Sequence, residues 1–213
     1  QRVARPNSTL LGPVTRRLDA RLRGSAIPLG SLLSVEKGDW SVHDIVVLGG
    51  GPGGYASALY AHNFGLDVAM VVNERPGGTC LLRGCIPAKQ WLQVAEVFST
   101  VKHASDFGVV AGEPDLDWDA ALDRKGKTVE GLVRGLEGLL KKRNVTVVNG
   151  FGRLDGPNTV VVDGDDGEQR LEGRKVILAT GSHPRSIPGY DIDGERIVTS
   201  DHALDWSSRP QRV

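Results

Sequence analysis

Apolar residues in the chain occur either in short continuous runs or in longer stretches with helical spacing. The runs Asp44–Leu48 and Asp67–Val72 are rich in β-branched residues, which is typical of strands buried in a parallel sheet. Between them, residues 53–65 place Ala56 and Leu59 on one side of a predicted helix. A strand, a helix and a second strand within about thirty residues predict a βαβ unit.

Two further helices and several short strands are predicted downstream. One helix runs from about Pro87 to residue 104, and another begins near Asp117 and carries apolar residues at three- and four-residue steps. Its glycines are expected to allow a neighbouring element to approach closely; they are Gly126, Gly131, Gly135 and Gly138. Strands are predicted at 145–148, 159–163, 169–171 and 175–178. We expect a small antiparallel meander beside a strand that returns to the parallel sheet.

The first predicted strand ends in a run of glycines at 49–54. The run satisfies G-x-G-x-x-G at Gly49, Gly51 and Gly54. In a dinucleotide-binding turn, Gly49 makes the tight turn, Gly51 lets a pyrophosphate approach the backbone, and Gly54 lets helix and strand pack closely. The phosphates then lie at the N-terminus of the helix. Alone, the motif is also typical of a plain glycine-rich turn, but its position between strand and helix favours nucleotide binding.

The position where this fingerprint places a ribose-binding acidic residue holds Val72 instead. Glu74 follows two residues later. Two interpretations remain open: Glu74 reaches the ribose from the turn, or it is a solvated loop charge. In the second case ribose recognition is weaker, whereas the pyrophosphate contacts are retained.

The two cysteines, Cys80 and Cys85, lie in the stretch 77–89, which reads GGTCLLRGCIPAK. In a regular helix, residues five positions apart have Cα atoms roughly 8–9 Å apart, whereas a disulfide needs about 4.4–6.8 Å. Therefore either the thiols stay apart, as buried and reduced cysteines, or the backbone leaves helical geometry. Gly84 permits unusual backbone angles and Pro87 suits the first turn of a helix. These residues favour a distorted turn that closes a reducible disulfide, but the spacing alone does not decide.

The pattern GGxCxxxGCxPxK, together with the glycine turn upstream, resembles the active site of the pyridine nucleotide-disulfide oxidoreductases. It is most similar to the dihydrolipoyl dehydrogenase branch. The resemblance covers residues 42–213 and implies an α/β fold: a Rossmann-like FAD-binding domain with a parallel sheet, a glycine-rich βαβ unit and a small antiparallel meander. It also implies that the domain is truncated. Residues 42–206 would be its N-terminal part, and 207–213 would begin the link to an NAD-binding domain that this chain lacks.

The reaction implied by the resemblance is oxidation of dihydrolipoamide with reduction of NAD+, through a Cys80–Cys85 disulfide and FAD. Cys80 would exchange with the dithiol substrate, and Cys85 would lie against the flavin as a thiolate. Thiolate chemistry needs a lowered thiol pKa, which a helix N-terminus and Lys89 would favour. FAD would supply the electron-transfer chemistry. We expect little or no NAD-linked activity from this chain alone.

Three alternatives remain open. One is a related NAD(P)H-dependent disulfide reductase acting on glutathione, mycothione or mercuric ion, and another is a flavin-binding module without turnover. The last is a structural protein with incidental glycines. The implied enzyme would be a homodimer that works on a small-molecule or lipoyl-domain dithiol within 2-oxoacid dehydrogenase complexes.

The resemblance also implies which residues contact FAD. From the residues alone, Gly152 is equally consistent with a plain bend, and Lys89 with a surface lysine at a helix start. The full implied set is Gly49, Gly51, Pro52, Gly53, Gly54, Glu74, Gly78, Thr79, Cys80, Cys85, Lys89, Gly152, Ala179, Thr180 and Gly181. His183 and His202 follow no ligand spacing, so we interpret them as surface residues and expect no metal site.

Residues 1–41 are rich in arginine, serine, proline and glycine, with weak apolar periodicity. We interpret them as a disordered extension; the alternative is a mitochondrial transit peptide. The whole chain balances 26 basic against 26 acidic residues, which argues against nucleic-acid or membrane-surface partners. Two cysteines in such a chain favour a cytosolic redox pair. The expected location is therefore the cytoplasm, or the mitochondrial matrix if the arginine-rich segment is a transit peptide.

Overall fold

The computed structural model describes residues 42–212, so the interpretations of the arginine-rich segment 1–41 lie outside the described residues. The strands are β1 (Val42–Leu48), β2 (Val68–Val72), β3 (Thr146–Asn149), β4 (Phe151–Leu154), β5 (Thr159–Gly164) and β6 (Gly167–Leu178). The helices are α1 (Pro52–His62), α2 (Cys85–Lys102), α3 (Trp118–Lys142) and α4 (Ser200–Leu204). A π-helical turn spans Thr79–Arg83, and a 3-10 turn spans Ala104–Phe107.

The six strands form one sheet in the order β3-β2-β1-β6-β5-β4. Strands β3, β2 and β1 and the second half of β6 run parallel, with Val46 of β1 paired to Ala69 of β2 and to Val176 of β6. Strands β4 and β5 and the first half of β6 are antiparallel. The predicted α/β class, with a parallel sheet and an antiparallel meander, is therefore confirmed.

The prediction of separate strands at 169–171 and 175–178 was wrong, because β6 is continuous. Its residues 167–172 pair with β5, and its residues 172–178 pair with β1. One strand thus belongs to both the meander and the parallel sheet, and no turn is needed between its two halves. Strand β4 was not predicted, and α2 begins at Cys85 rather than near Pro87.

Each face of the parallel strands is buried by a different layer. On one face, Val47 and Met70 pack with Ala58 of α1 and Leu140 of α3. On the other face, side chains of the parallel strands pack against the meander; the buried residues there are Val46, Leu48, Ala69, Val71, Val148, Val160 and Val162. Burial on both faces explains why β1 and β2 read as continuous apolar runs rather than as alternating patterns.

Gly152 lies in β4, where the meander crosses the parallel strands. A Cβ atom at this position would collide with Leu48 Cδ1 and would lie 2.9 Å from Val71 Cγ1. Gly152 therefore lies where the two layers pack closely, and an added methyl group would force the neighbouring side chains to shift.

The glycines of α3 have no such role, and the expectation that they admit a close neighbour was wrong. No heavy atom lies within 4 Å of the position that a Cβ would take at Gly126, Gly131, Gly135 or Gly138. These glycines face open space, and each lowers helix stability relative to alanine.

The segment 204–206 is fixed against α2 and α3 by three side chains. Trp91 and Trp118 stack with ring centroids 4.4 Å apart, and their Nε1 atoms donate to the backbone carbonyl oxygens of residues 204 and 206, at 3.0 and 3.1 Å. The buried Lys125 donates to the first of these carbonyls at 2.7 Å and forms an ion pair with Asp205. This part of the chain is consequently held by contacts from two helices.

We predict that Gly152→Ala lowers the free energy of unfolding by about 1–3 kcal/mol, because the added methyl group overpacks the contact between β4 and the parallel strands. The matched control is Gly131→Ala in α3, where the methyl group meets open space. It should raise the free energy of unfolding by about 0.5–1 kcal/mol through helix propensity alone. Urea unfolding followed by circular dichroism measures both, and a Gly152→Ala variant as stable as the parent would contradict the packing role.

Candidate functional site

A cleft of about 580 Å³ opens where the chain leaves the carboxyl ends of β1, β2 and β6. Its walls come from residues 49–53 after β1, 72–75 after β2 and 179–183 after β6, and from the stretch that holds the two cysteines. The carboxyl ends of neighbouring parallel strands share one edge of a sheet, and ligands of α/β proteins bind in the crevice outside that edge. The position of the cleft therefore indicates a binding site.

The glycine turn after β1 has a conformation that only glycine adopts easily. Gly49 has φ +115°, and a Cβ at Gly54 would collide with the carbonyl oxygen of Gly49. The N-cap of α1 is Gly51, which has no side chain to accept a hydrogen bond from the first turn. Amide groups at this end of α1 can therefore donate to an anionic group, and the helix dipole favours negative charge there.

A second glycine pair closes the floor of the cleft. Gly78 has φ +57°, and a Cβ on it would lie 2.5 Å from Gly51 Cα. The N–H of Gly77 donates to the carbonyl oxygen of Gly50 at 2.8 Å, which ties the two loops together. The two backbones thus form a cradle that a single side chain would fill.

Cys80 and Cys85 are joined by a disulfide, with Cα atoms 4.6 Å apart. Cys80 lies in the π-helical turn, and Cys85 is the first residue of α2. Between these helical segments, Gly84 leaves helical geometry with φ −136° and ψ −103°. A Cβ at Gly84 would lie 2.8 Å from the carbonyl oxygen of Thr79. The break at Gly84 brings together two residues that a regular helix would separate, so the alternative of two separate reduced thiols does not describe this structure.

Glu74 lies in the loop after β2 and is bound by Arg83. The Arg83 guanidinium donates to both carboxylate oxygens of Glu74, at 2.5 and 2.8 Å, and its Nε lies 3.5 Å from Asp201 Oδ2. The hydrogen bond from Arg83 to Glu74 raises the pKa of Arg83 above its usual value. Both Glu74 and Arg83 line the cleft. Motif reasoning missed Arg83 because it occupies a variable position between the cysteines.

The neighbouring Arg75 anchors the same loop to α3. It donates to Glu137 at 2.8 Å and to Glu130 at 2.7 Å. These hydrogen bonds raise the pKa of Arg75 and lower the pKa of both glutamates. The loop after β2 is thereby held on one side by α3 and on the other by the turn that carries Cys80.

Twelve of the fifteen residues proposed from the sequence line the cleft. They are Gly49, Gly51, Pro52, Gly53, Glu74, Gly78, Thr79, Cys80, Cys85, Ala179, Thr180 and Gly181. The other three do not line it: Gly54 packs beneath the turn, Gly152 packs in β4, and Lys89 is exposed near the start of α2. The contact of Lys89 with a flavin stays a prediction from the resemblance.

Several lining residues were not predicted. They are Gly50, Val72, Asn73, Arg75, Arg83, Ser182 and His183. His183 was interpreted as an ordinary surface residue, but it lies at the cleft because the chain leaving β6 follows the cleft wall. His202 instead caps α4, where its Nδ1 accepts the N–H of Thr199 at 3.0 Å. The sequence signal that was available for His183 is its place directly after the predicted strand end.

The features of the cleft itself suit a dinucleotide such as FAD. The glycine cradle and the uncapped start of α1 suit a pyrophosphate, and a disulfide lies in the same wall. Among residues 42–212, no group of histidine, cysteine, aspartate and glutamate side chains is placed to hold a metal ion. In that range, every helix is too short or too polar to cross a membrane.

Comparison with known proteins agrees with this site. Residues 43–213 match the family model described as pyridine nucleotide-disulphide oxidoreductase. The chain is 41% identical over 180 residues to the dihydrolipoyl dehydrogenase of Bacillus subtilis and 43% identical over 176 residues to that of Acholeplasma laidlawii. It is 37% identical over 212 residues to the mitochondrial dihydrolipoyl dehydrogenase of Pisum sativum.

These matches include 80%, 80% and 98% of this chain, respectively, but only 38%, 51% and 40% of the three relatives. The chain therefore spans about two fifths to one half of the length of the relatives it matches. The family model covers the glycine turn, the cysteine stretch and all of the sheet except Val42. By its sequence and by the cleft that this sequence builds, the chain belongs to the pyridine nucleotide-disulphide oxidoreductase family.

Proposed function

We propose that this chain carries the FAD-binding and disulfide-bearing part of a dihydrolipoyl dehydrogenase. The observation that carries the proposal is the position of the Cys80–Cys85 disulfide in the same cleft as the glycine cradle. A dinucleotide held in that cradle would extend along the wall that presents the disulfide. The three relatives compared above, all of them dihydrolipoyl dehydrogenases by name, support the choice of substrate class.

The proposed thiol chemistry balances within the cysteine pair and the substrate. A thiolate of dihydrolipoamide attacks the Cys80 sulfur, the Cys80–Cys85 bond breaks, and Cys85 leaves as a thiolate. The second substrate thiol then attacks the substrate sulfur in the mixed disulfide and releases Cys80. The substrate loses two electrons and becomes a cyclic disulfide, while the cysteine pair gains two electrons and becomes a dithiol. FAD, when bound, would accept these electrons and pass them to NAD+.

The residues of the cleft have distinct roles in this proposal. The amides at the start of α1 bind the pyrophosphate, and Gly51 and Gly78 leave the space for it. Glu74 binds the ribose in place of the acidic residue that the fingerprint expects at the position of Val72. A carboxylate offers about four lone-pair sites, so its two bonds from Arg83 leave capacity for ribose hydroxyl groups. Lys89 and Gly152 remain predictions from the resemblance, as flavin-side and adenine-side residues.

The similarity to dihydrolipoyl dehydrogenases also supports proposals about assembly, the reaction with NAD+ and location. The parent enzyme would be a homodimer within 2-oxoacid dehydrogenase complexes, located in the cytoplasm or, with a transit peptide, in the mitochondrial matrix. Since this chain matches only part of its relatives, we propose that NAD-linked turnover requires the parts that it does not match. The alternative is a reductase of glutathione, mycothione or mercuric ion, which uses the same cysteine pair in the opposite direction.

We predict that Gly78→Ala weakens FAD binding by at least about tenfold. The methyl group would push Gly78 away from Gly51 and narrow the cradle, and a loss of 1.4 kcal/mol or more corresponds to that factor. Gly112→Ala is the matched control, because Gly112 is exposed and its added methyl group meets open space. Flavin fluorescence titration measures both affinities, and equal affinities for the two variants would argue against the cradle as the pyrophosphate site.

We predict that dihydrolipoamide reduces the Cys80–Cys85 disulfide of the chain at least about tenfold faster than equimolar glutathione does, because a dithiol resolves its own mixed disulfide intramolecularly. Quenched-flow alkylation followed by mass spectrometry counts the thiols released. Cys85→Ser is the control, since it retains Cys80 but has no disulfide to reduce. Faster reduction by glutathione would favour the alternative reductase.

We predict that FAD protects Cys85, but not Cys80, from alkylation. In the structure Cys85 is exposed at the cleft and Cys80 is half-buried, and a flavin lying against Cys85 would cover it. The measurement compares iodoacetamide rates of the variants Cys80→Ser and Cys85→Ser with and without saturating FAD. FAD should slow alkylation of the first variant at least about fivefold, as expected for loss of access to the thiolate. Preferential protection of Cys80 would reverse the two assigned roles.

A further inference from the structure

Charged residues around the turn that carries Cys80 form a cluster that the motif does not describe, and two of them, Glu74 and Arg83, line the same cleft as both cysteines. Arg83 is the last residue of the π-helical turn, three positions after Cys80 and two before Cys85. Its side chain is 29% exposed and that of Glu74 is 35% exposed, so both are partly shielded from solvent. Bonds to both oxygens of Glu74 fix the guanidinium plane, because this paired arrangement is geometrically specific.

The cluster also joins three separate elements. Glu74 follows β2, Arg83 ends the turn with Cys80, and Asp201 lies in α4. The chain immediately after α4 is in turn fixed to α2 and α3 by the stacked tryptophans and Lys125. Arg83 therefore connects the cysteine turn to the loop after β2 and to α4.

The charges in the cluster do not cancel. Arg83 contributes one positive charge, whereas Glu74 and Asp201 contribute two negative charges. Arg75 and His183 also line the cleft, and Lys89 lies four residues after Cys85 in α2, but the variants tested below leave all three unchanged. A cation near a cysteine favours its thiolate, and an anion disfavours it. Without Arg83, two carboxylates would remain next to the cysteine turn. Without the charge of Glu74, Arg83 would retain Asp201 alone, at 3.5 Å.

We infer that the cluster of Glu74, Arg83 and Asp201 sets the reactivity of the reduced cysteine pair, with Arg83 as a positioning residue that offsets two carboxylates. The inference rests on the proposed function, because it concerns the dithiol form that the proposed reaction produces. It assigns a role in thiol chemistry to residues whose identity the GGxCxxxGCxPxK pattern does not specify. Its distinctive consequence is that removing Arg83 and removing the charge of Glu74 have opposite effects on the thiols.

The test measures the pH dependence of thiol alkylation in the reduced 213-residue chain, with each cysteine followed separately by peptide mass spectrometry. For the cysteine that responds more, Arg83→Met should raise the pH midpoint of alkylation by about 0.5–1 unit, since a nearby charge partly screened by solvent has an effect of this order. Glu74→Gln should lower the midpoint by a similar amount. Arg83→Lys retains the cation and should keep the midpoint close to that of the parent.

The matched control is Arg153→Met, which removes an ion-paired arginine from the meander, where its partner is Glu168. Its midpoint should equal that of the parent.

If Arg83→Met does not fold, as judged by circular dichroism, Glu74→Gln decides the question, because it preserves the shape of the side chain and changes one charge. A midpoint that stays in place or rises in Glu74→Gln would overturn the inference.

Shifts of both variants in the same direction would also overturn it, because loss of the clamp alone loosens the turn in either variant. A separate measurement tests the proposed function itself. If lipoamide, a cyclic disulfide, does not oxidise the reduced cysteine pair of the parent chain back to its intramolecular disulfide, both the proposed function and this inference are wrong. If the disulfide re-forms but the pH midpoints of alkylation do not shift in the variants, the inference is wrong and the proposed function stands.

Discussion

The structure of the cleft depends on close contact between backbones at positions where a side chain has no room. Gly54 lies against the carbonyl oxygen of Gly49, and Gly78 lies against Gly51. The first contact sets α1 directly behind the end of β1, and the second brings the cysteine turn to the start of α1. Because interiors are closely packed and cannot absorb an added methyl group without a shift, these contacts determine both the shape of the cleft and the elements that border it.

The same principle positions the disulfide. Gly84 interrupts two helical segments with its backbone close to Thr79, and this interruption brings Cys80 and Cys85 within bonding distance. The cysteine turn rests on the glycine cradle at one end and continues into α2 at the other. The disulfide and the glycine cradle therefore share one wall as a consequence of local backbone geometry.

Electrostatic contacts then fix the loops that packing leaves exposed. Arg75 holds the loop after β2 to α3, and Arg83 joins that loop to the cysteine turn and to α4. Exposed ion pairs usually contribute little to stability, so their value here is in orientation. The paired hydrogen bonds of Arg83 have the fixed geometry that such a role requires.

Local sequence was sufficient for the features that depend on short-range geometry. The glycine turn and the βαβ unit follow from a motif in which each glycine answers a backbone requirement, and the twelve cleft-lining residues were implied by the family resemblance. Tertiary structure decided the rest, because those features depend on how separate elements meet. The ion pair of Glu74 with Arg83 joins the loop after β2 to the cysteine turn. Gly152 of β4 packs against side chains of the parallel strands, and the chain that leaves β6 carries His183 to the cleft. The continuity of β6 belongs to the same class, since its two halves are specified by different neighbouring strands and not by any local signal.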